Sequence, residues 1–396
     1  MRRQYRPLPL PGVTTRAGTE GQRDSHRSRS NQPSGAHPAA PASEASTPPC
    51  LAAYTTLRLG GPARRLVRAE SADAVVALVR AADANGEPLL VLGGGSNLVV
   101  SDDGVPGTTV LVASTGVRRD RADGGGVLLT VEAGEDWDEV VAGALADGLT
   151  GLECLSGIPG RAGAVPVQNV GAYGVEISEL LVDVDLYDRR TGTVREHVPA
   201  AELDLAYRHS ALKGRDDAVV LRIRLALRTG AQGNGIRYPE LARALGVPPG
   251  AGAPAREVRD AVLALRRSKG MVLDPDDHDT WSAGSFFTNP VVPAARAEEI
   301  AARADGDSGS MPRYPAADGL VKLSAAWLIS QSGFRRGHPG PGGRVSLSTR
   351  HSLALTNRGA GTTADLLSLA RQVRDVVRGI FDIELVPEPV FVGCRL

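Results

Sequence analysis

The segment 157–174 restricts the possible folds of this chain more than any other stretch. It reads Gly-Ile-Pro-Gly-Arg-Ala-Gly-Ala-Val-Pro-Val-Gln-Asn-Val-Gly-Ala-Tyr-Gly, with five glycines and two prolines in eighteen residues. This composition excludes a regular helix or a plain strand, because glycine favours unusual backbone angles and proline removes a donor. It is typical of a chain that follows the outline of a planar ligand. Tight turns around a core are the alternative.

A second glycine run, Val-Leu-Gly-Gly-Gly-Ser-Asn-Leu, occupies residues 91–98. A strand that runs into three glycines leaves bare backbone N–H groups where a pyrophosphate can approach, and Ser96 and Asn97 add donors. The run matches neither the Gly-x-Gly-x-x-Gly pattern that opens a Rossmann helix nor a Walker loop with its lysine. Taken alone, it is explained at least as well by a turn that joins two strands.

Length and composition bound the class of protein. The 396 residues suit about two or three domains, and 42% hydrophobic with 23% charged residues is ordinary for a soluble globular chain. The formal net charge is zero, which gives no electrostatic reason to expect nucleic acid or a membrane as partner. No apolar run approaches the roughly 18 residues that span a bilayer. Cys50, Cys154 and Cys394 are far apart, so we expect reduced thiols in a cytoplasmic protein without a metal site.

The predicted elements indicate an α+β chain. Residues 1–49 are rich in Pro, Ser, Ala, Gly and Arg, which predicts a disordered tail. The Gly/Pro-rich stretch 229–254 is predicted to be a mobile loop or boundary. Strands are expected at 65–69, 89–92, 109–113, 127–132, 181–187, 218–227, 284–292, 351–356 and 383–392. Helices are expected from a cap at Ser71 through Ala82, and at 136–147, 255–268, 293–304, 322–333 and 363–380.

Ser285 lies in the segment 281–290, Trp-Ser-Ala-Gly-Ser-Phe-Phe-Thr-Asn-Pro. It follows Gly284, so its hydroxyl can project where the backbone approaches a ligand, and Phe286 and Phe287 can exclude water from it. The absence of a Gly-x-Ser-x-Gly pattern argues against an acyl-transfer nucleophile. A hydroxyl can instead donate a proton when its conjugate base is stabilised nearby.

Two charged residues complete the candidate catalytic set. Arg208, in Tyr-Arg-His-Ser-Ala-Leu-Lys at 207–213, carries a fork suited to a carboxylate, although an arginine in a surface loop is by itself usually solvated. Glu388 lies between two prolines in an otherwise apolar stretch. A carboxyl group buried there has a raised pKa and can act as an acid, whereas on an edge strand it is simply solvated.

Basic residues are almost all arginine: of 45 lysines and arginines, the lysines are Lys213, Lys269 and Lys322. This bias indicates codon-level pressure towards arginine. A lysine that is kept against such pressure suits a place that needs a compact point charge. Chance explains any single one of them equally well.

Taken in order, these motifs resemble the UDP-N-acetylenolpyruvoylglucosamine reductase family of peptidoglycan synthesis. The resemblance extends from Tyr-Thr-Thr-Leu-Arg-Leu-Gly-Gly-Pro-Ala at 54–63 to Gly393 and leaves out only the tail. It implies a vanillyl-alcohol-oxidase-type FAD-binding fold, followed by a smaller α+β substrate-binding domain. The predicted limits are 50–228 for the FAD-binding domain (subdomains about 50–112 and 113–228), 229–254 for the boundary, 255–382 for the substrate-binding domain and 383–396 for a C-terminal strand that returns to the active site.

The resemblance also implies the reaction. NADPH reduces noncovalently bound FAD, and hydride from the flavin then reduces UDP-N-acetylglucosamine enolpyruvate to UDP-N-acetylmuramate. Ser285 is implied as the proton donor, and Arg208 and Glu388 as the residues that polarise the carboxylate and stabilise the enol form. These roles agree with the chemistry of the three side chains.

The family pattern further assigns binding residues. Those implied to contact FAD are Gly93, Gly94, Gly95, Ser96, Asn97, Ile158, Gly160, Gly163, Gln168, Asn169, Gly171, Ala172 and Tyr173. Those implied to contact substrate are Tyr238, Arg266, Lys269, Asn289, Tyr314 and Gln331. The motif Arg-Tyr-Pro-Glu-Leu at 237–241 resembles the class of the family with a mobile tyrosine loop, in which Tyr238 closes over the diphosphate and Lys269 contacts it.

Two other functions fit parts of the sequence. Another flavin oxidoreductase of the same fold keeps the glycine motifs without needing Ser285, Tyr238 and Lys269 together, and a silent nucleotide-sugar-binding regulator needs no Ser285. The chain departs from the family pattern at His209, where an Asp often follows Tyr-Arg, at Pro389 in place of Val, and in an insert at 335–345. We expect a monomer that binds small molecules and neither nucleic acid nor a membrane.

Overall fold

The structure, a computed structural model, describes residues 48–122, 125–303 and 311–396. The disordered tail predicted for residues 1–49 lies outside these ranges except for its last two residues. Within the described ranges, none of the helices combines the length and the apolar character that crossing a bilayer requires.

The N-terminal part contains a β-α-β unit. Its elements are β1 (Ala63–Ala69), α1 (Ala72–Ala84), β2 (Leu89–Leu92), β3 (Leu98–Val100) and β4 (Val105–Val112). The side chain of Ser71 accepts a hydrogen bond from the Ala74 N–H and so begins α1 where the sequence predicts. Val75 and Val79, one helical turn apart, pack in a buried cluster with Val110 of β4. The three parallel strands lie in the order β1-β4-β2.

An antiparallel sheet forms the next part. Its elements are β5 (Val117–Arg121), β6 (Val127–Glu132), α2 (Trp137–Ala146), β7 (Leu149–Thr150), β8 (Gly171–Ala172), β9 (Val175–Glu176), β10 (Leu181–Asp188), β11 (Thr193–Pro199) and β12 (Ala218–Thr229). The strand order is β11-β10-β12-β6-β5, with β7 paired to the end of β12. The segment 157–174 makes short 3₁₀ turns at 162–164 and 166–168 before it enters β8.

The C-terminal part holds small sheets and most of the helices. Its elements are α3 (Pro239–Leu245), α4 (Ala255–Ser268), β13 (Ser282–Ser285), β14 (Val291–Pro293), α5 (Ala294–Ala302), β15 (Arg313–Pro315), β16 (Leu320–Leu323), α6 (Ala325–Gln331), β17 (Val345–Leu347), β18 (Ala354–Asn357), α7 (Thr363–Phe381) and β19 (Val390–Val392). The sheets are β13-β18-β17 and β14-β16-β15. Strand β19 instead pairs in parallel with β3, so the end of the chain returns to the N-terminal part.

Several elements differ in extent from their predictions. The strand expected at 284–292 is split into β13 and β14, because the intervening residues bond to 353 and 386–388 instead of continuing one ladder. The strand expected at 383–392 is confined to Val390–Val392, because the Val386 carbonyl and the Glu388 N–H bond to Thr288 and Phe286 and not to β3. The helix expected at 322–333 begins at Ala325, after β16, where the Ser324 hydroxyl accepts from the Trp327 N–H.

The buried clusters join stretches that the predicted domain limits separate. Val258 and Val262 of α4 pack in one cluster with Trp137 of α2. Leu57, near the start of the described chain, packs in another with Phe286. The stretch 229–254 includes α3, whose Leu241 is fully buried. The predicted domain limits, and the mobility of 229–254, stay predictions.

A buried carboxylate, Asp279, ties two loops of the C-terminal part together. Its oxygens accept hydrogen bonds from the Ser348 hydroxyl at 2.9 Å, from the N–H and hydroxyl of Thr349 at 3.0 Å each, from Arg350 Nε at 3.1 Å and from Arg358 Nη1 at 2.9 Å. Burial opposes ionisation of the carboxyl, but these donors outweigh burial and hold the pKa of Asp279 below its ordinary value.

We expect Asp279→Ala to lower the free energy of unfolding by about 3–5 kcal/mol, because it leaves buried donors and two arginines without their acceptor. Chemical denaturation measures the loss. Asp276→Ala is the matched control, since Asp276 is exposed, and it should change stability by less than about 0.5 kcal/mol. Equal, small losses in both variants would contradict the anchoring role of Asp279.

Candidate active site

One cleft draws its lining from all three parts of the fold. A cavity of about 350 Å³ lies among the glycine run at 93–98, the segment 158–171, Ser285 of β13 and Glu388 before β19. This volume falls in the range typical of small-molecule sites. The chain brings Glu388 here because its N–H donates to the Phe286 carbonyl at 2.9 Å, next to Ser285.

The cavity gathers the three candidate catalytic residues and most of the predicted cofactor residues. Predicted residues that line it are Gly93, Gly94, Gly95, Ser96, Asn97, Ile158, Gly160, Gln168, Gly171, Arg208, Arg266, Ser285 and Glu388. Predicted residues outside its lining are Gly163, Asn169, Ala172, Tyr173, Tyr238, Lys269, Asn289, Tyr314 and Gln331.

The two glycine loops meet backbone to backbone. A Cβ atom on Gly94 would lie 2.7 Å from the Gly160 Cα, so only glycine fits at this approach. Asn97 Nδ2 donates to Gln168 Oε1 at 2.8 Å and fastens the loops from their other side. The result is a wall of bare backbone, the kind of surface to which a phosphate or a flat heterocycle can bind closely.

Asn169 and Gly163 have structural positions that their motif does not reveal. The Asn169 amide donates to Glu176 Oε2 at 2.7 Å and to the Ala206 carbonyl at 3.0 Å, and its Oδ1 accepts from the Ser178 N–H. It therefore supports the loop that carries Arg208. A Cβ on Gly163 would lie 2.5 Å from the Ala133 Cβ, so this glycine permits close packing on the sheet.

Arg208 and Glu388 lie side by side at the cavity wall. Arg208 Nε lies 3.1 Å from Glu388 Oε1, and Arg208 Nη2 donates to the Gly171 carbonyl at 3.0 Å. The Arg208 Nε–H does not point along the line to Oε1, and it has no hydrogen bond to any residue of the described ranges. Arg208 also has a left-handed backbone, with φ of 54°, which costs energy in a residue with a side chain.

Burial has the largest effect on the pKa of Glu388. Its side chain is 13% exposed, and burial raises the pKa of its carboxyl, although the charges of Arg208 and Lys213 oppose the rise. The sequence left open whether Glu388 is buried or solvated on an edge strand, and the structure shows it buried. The Glu388 and Val390 N–H groups make the hydrogen bonds on either side of Pro389, so the missing donor of that residue interrupts neither.

A second cluster of predicted residues lies beside the cavity. The ring of Tyr238, at the start of α3, meets the Tyr173 ring edge-on with centroids 5.5 Å apart. The Lys269 ammonium, at the end of α4, lies 5.9 Å from the Tyr173 ring centre and pairs with Glu240. Arg266 joins this cluster to the cavity, which it lines.

The remaining predicted substrate residues are less closely grouped. Asn289 Oδ1 accepts from the Ala325 N–H at 3.0 Å and so supports the start of α6, which ends at Gln331. Tyr314 of β15 is 47% exposed, as suits a residue that meets a ligand only at the rim. Its strand partner is Lys322, whose ammonium lies 4.1 Å from the ring centre of Tyr207.

Among the cavity-wall residues that sequence reasoning missed are Trp137, Arg161, Lys213 and Met271. Lys213 alone carried a signal, as one of three lysines in an arginine-rich chain. His209 is exposed, with its ring 3.3 Å from Asp204, and it does not line the cavity. Phe286 and Phe287 belong to the core of the C-terminal part and do not line the cavity, which contradicts the expected water-excluding role.

Comparison with known families agrees with this arrangement. The family model described as "FAD binding domain" matches residues 63–197, which include the β-α-β unit and both glycine loops. The fold and the site therefore define an FAD-dependent oxidoreductase. A second model, "UDP-N-acetylenolpyruvoylglucosamine reductase, C-terminal domain", matches residues 274–392, from before Ser285 to beyond Glu388.

Relatives that match most of the chain identify the family to which it belongs. UDP-N-acetylenolpyruvoylglucosamine reductase of Saccharopolyspora erythraea is 62% identical over 87% of this chain and 95% of the relative. The reductase of Nocardia farcinica is 58% identical over 87% and 89%. The crystal structure of the Thermus caldophilus reductase is 25% identical and has a TM-score of 0.59, over 87% of this chain and 97% of that one. This chain belongs to the UDP-N-acetylenolpyruvoylglucosamine reductase family, which confirms the predicted family, fold class and FAD cofactor.

The residues present fit FAD. The Gly94–Gly160 approach leaves no room for side chains on the inner wall, and the glycine run offers N–H groups for a pyrophosphate. The buried Arg266 Nε, at the same wall, has no acceptor within the described ranges, which suits an anionic or polar ligand group.

We expect Gly94→Ala to purify with much less flavin than the unchanged protein, because the added methyl group pushes the two loops apart. Gly143→Ala is the control, since Gly143 lies on α2 outside the cavity lining and its Cβ would meet no heavy atom within 4 Å beyond its own helix. Visible flavin absorbance per mole of protein, before and after addition of excess FAD, measures the effect. Full flavin content in Gly94→Ala would contradict the inference that the close approach of Gly94 and Gly160 is needed to bind FAD.

Proposed function

We propose that this protein reduces UDP-N-acetylglucosamine enolpyruvate to UDP-N-acetylmuramate with NADPH as reductant, a step of peptidoglycan precursor synthesis in the cytoplasm. Membership of the reductase family supports the reaction. The single observation that carries the assignment of roles is the convergence of Ser285, Arg208 and Glu388 on one cavity wall with the glycine loops. The alternative of another flavin oxidoreductase explains the loops without this convergence.

Residues 93–97 together with Ile158, Gly160, Gln168 and Gly171 would hold FAD, because they form the bare-backbone wall of the cavity. When bound there, FAD takes electrons from NADPH and supplies them as hydride to the methylene carbon of the enolpyruvyl group. Trp137 and Met271 lie against the same cavity and help to exclude water from it.

Arg208 and Glu388 would bind the carboxylate end of the enolpyruvyl group. Hydride addition to the methylene carbon places an electron pair on the neighbouring carbon, and the attached carboxylate shares this charge as an enolate. The guanidinium of Arg208 compensates the charge, and the buried Glu388 carboxyl, whose pKa is raised, can donate a hydrogen bond to an enolate oxygen. Both groups therefore stabilise a charge that exists only after hydride transfer.

Ser285 would complete the reduction. Its hydroxyl gives a proton to the carbon that holds the electron pair, so one hydride and one proton saturate the double bond and leave a lactyl ether. The alkoxide left on Ser285 regains its proton from solvent. The hydrogen bond from the Glu388 N–H to the Phe286 carbonyl supports this role. It holds the end of β13, which carries Ser285, next to the segment that carries Glu388.

The UDP end would be held by Tyr238, Lys269 and Arg266, with Tyr314, Asn289 and Gln331 at the rim. The cluster of Tyr173, Tyr238 and Lys269 offers an ammonium and phenol hydroxyls suited to a diphosphate. Because Glu240 pairs with Lys269, a bound diphosphate would have to compete with that carboxylate. Closure of Tyr238 over the diphosphate is part of the proposal.

NADPH oxidation by the purified protein tests the function. We expect oxidation to depend on added UDP-N-acetylglucosamine enolpyruvate and to yield UDP-N-acetylmuramate in equal amount. Oxidation at the same rate with oxygen as the only acceptor would contradict the proposal and favour an oxidase of the same fold.

We expect Ser285→Ala to keep its flavin and its rate of flavin reduction by NADPH, but to lose at least about 10²-fold in turnover, in line with general acid catalysis. Stopped-flow absorbance separates the two half-reactions. Ser268→Ala, which removes an exposed hydroxyl at the end of α4, serves as the control and should behave like the unchanged protein. Normal turnover in Ser285→Ala would remove Ser285 from the mechanism.

A further inference from the structure

Lys213 makes a direct contact with the main chain of the proposed carboxylate-binding arginine. Its Nζ donates to the Arg208 carbonyl at 3.0 Å, and its side chain lines the same cavity as Arg208, Ser285 and Glu388. The side chain spans the tight loop from 208 to 213 and closes it from the cavity side.

The residue that Lys213 contacts, Arg208, has an unfavourable backbone conformation that other contacts must stabilise. Arg208 has a φ of 54°, a conformation that costs on the order of 1–3 kcal/mol in a residue with a side chain. Such a conformation persists only when surrounding contacts determine it. The Arg208 guanidinium is tied to the Gly171 carbonyl, and the Asn169 amide holds the Ala206 carbonyl two residues before it. Lys213 fixes the carbonyl of Arg208 itself.

The ammonium group of Lys213 also places a positive charge near the Glu388 carboxyl. The charged and titratable groups that face Glu388 are Arg208, Lys213 and Tyr207. Burial raises the pKa of Glu388, and the charges of Arg208 and Lys213 lower it. Lys213 is itself half-buried, and burial lowers the pKa of its ammonium while the Glu388 charge raises it. Each of the two groups therefore shifts the pKa of the other.

We propose that Lys213 is a positioning residue of this site, which holds Arg208 in its left-handed conformation and supplies the second positive charge that faces Glu388. The inference rests on the proposed function, because it gives Arg208 and Glu388 a reaction to serve. A lysine suits both tasks. Its compact ammonium can donate one N–H to a carbonyl and keep the others towards the cavity, which a flat guanidinium cannot do in the same space.

The neighbouring basic residue shows the contrast. Arg215, two positions further on, is exposed and pairs with Asp217 at the surface. It carries the same charge as Lys213 but contacts neither Arg208 nor Glu388. Arg215→Met is therefore a matched control, since it removes one positive charge from the same loop.

Three substitutions at position 213 separate the two tasks. Lys213→Met removes the donor and the charge, Lys213→Gln removes the charge but keeps a donor, and Lys213→Arg keeps the charge but replaces the compact donor with a flat guanidinium. The readouts are kcat, KM and the pH dependence of kcat. Flavin content and the unfolding midpoint show whether each variant is folded and loaded, and Lys213→Gln carries the test if Lys213→Met is not.

We expect Lys213→Met to lose about 10- to 100-fold in kcat, because a displaced Arg208 no longer meets the charge that follows hydride transfer. Without the ammonium, Glu388 holds its proton more tightly. The alkaline limb of the pH profile of kcat, where Glu388 ionises, should therefore move to higher pH in Lys213→Met and Lys213→Gln, but not in Lys213→Arg or Arg215→Met.

The outcomes distinguish this inference from the proposed function. Absence of turnover in the unchanged protein would overturn the proposed function and, with it, the role of Lys213. Normal turnover in the unchanged protein, combined with an unmoved alkaline limb in Lys213→Gln and Lys213→Met, would overturn the inference alone. An equal shift in Arg215→Met would also overturn it, because the effect would then be one of overall charge.

Discussion

The contact between Arg208 and Glu388 is the interaction on which the site depends. Arg208 lies in the loop before β12, and Glu388 lies 180 residues further along the chain, just before β19. They come within 3.1 Å because β19 pairs with β3 and so returns the chain end to the glycine loops. The same return sets Glu388 beside Ser285. One strand of three residues thus completes a site whose members belong to different sheets.

Several residues at or near this contact have a strained backbone conformation. Arg208, Asn169 and Tyr173 all have positive φ angles, and all three lie in or beside the cavity wall. The amide of Asn169 makes hydrogen bonds to two segments, 176–178 and Ala206, so this residue, implied as a cofactor contact, also supports the loop that carries Arg208. Strain held by such contacts is typical of functional sites, where a side chain must point in a direction that regular structure does not provide.

The parts of the site that a sequence reveals are those with a local physical cause. Ser71 begins α1, and α4 extends over Ala255–Ser268 as predicted. The apolar stretch around Glu388 left burial and solvation of its carboxyl both open, and the structure shows it buried. Periodicity could not indicate which residues of 157–174 face the cavity, because an irregular segment has none. The family resemblance implied Ile158, Gly160, Gln168 and Gly171, which do line the cavity. Lys213 was missed as a wall residue because its contact depends on how the 208–213 loop folds back.

A double-mutant cycle tests most directly whether Arg208 and Glu388 act as one unit. The rate of oxidation of the pre-reduced flavin by the enolpyruvyl substrate would be measured in single turnovers for Arg208→Lys, Glu388→Gln and the double variant. If the two side chains stabilise one developing charge, the double variant should be little slower than the slower single variant. Losses that multiply, as for independent residues, would contradict the account.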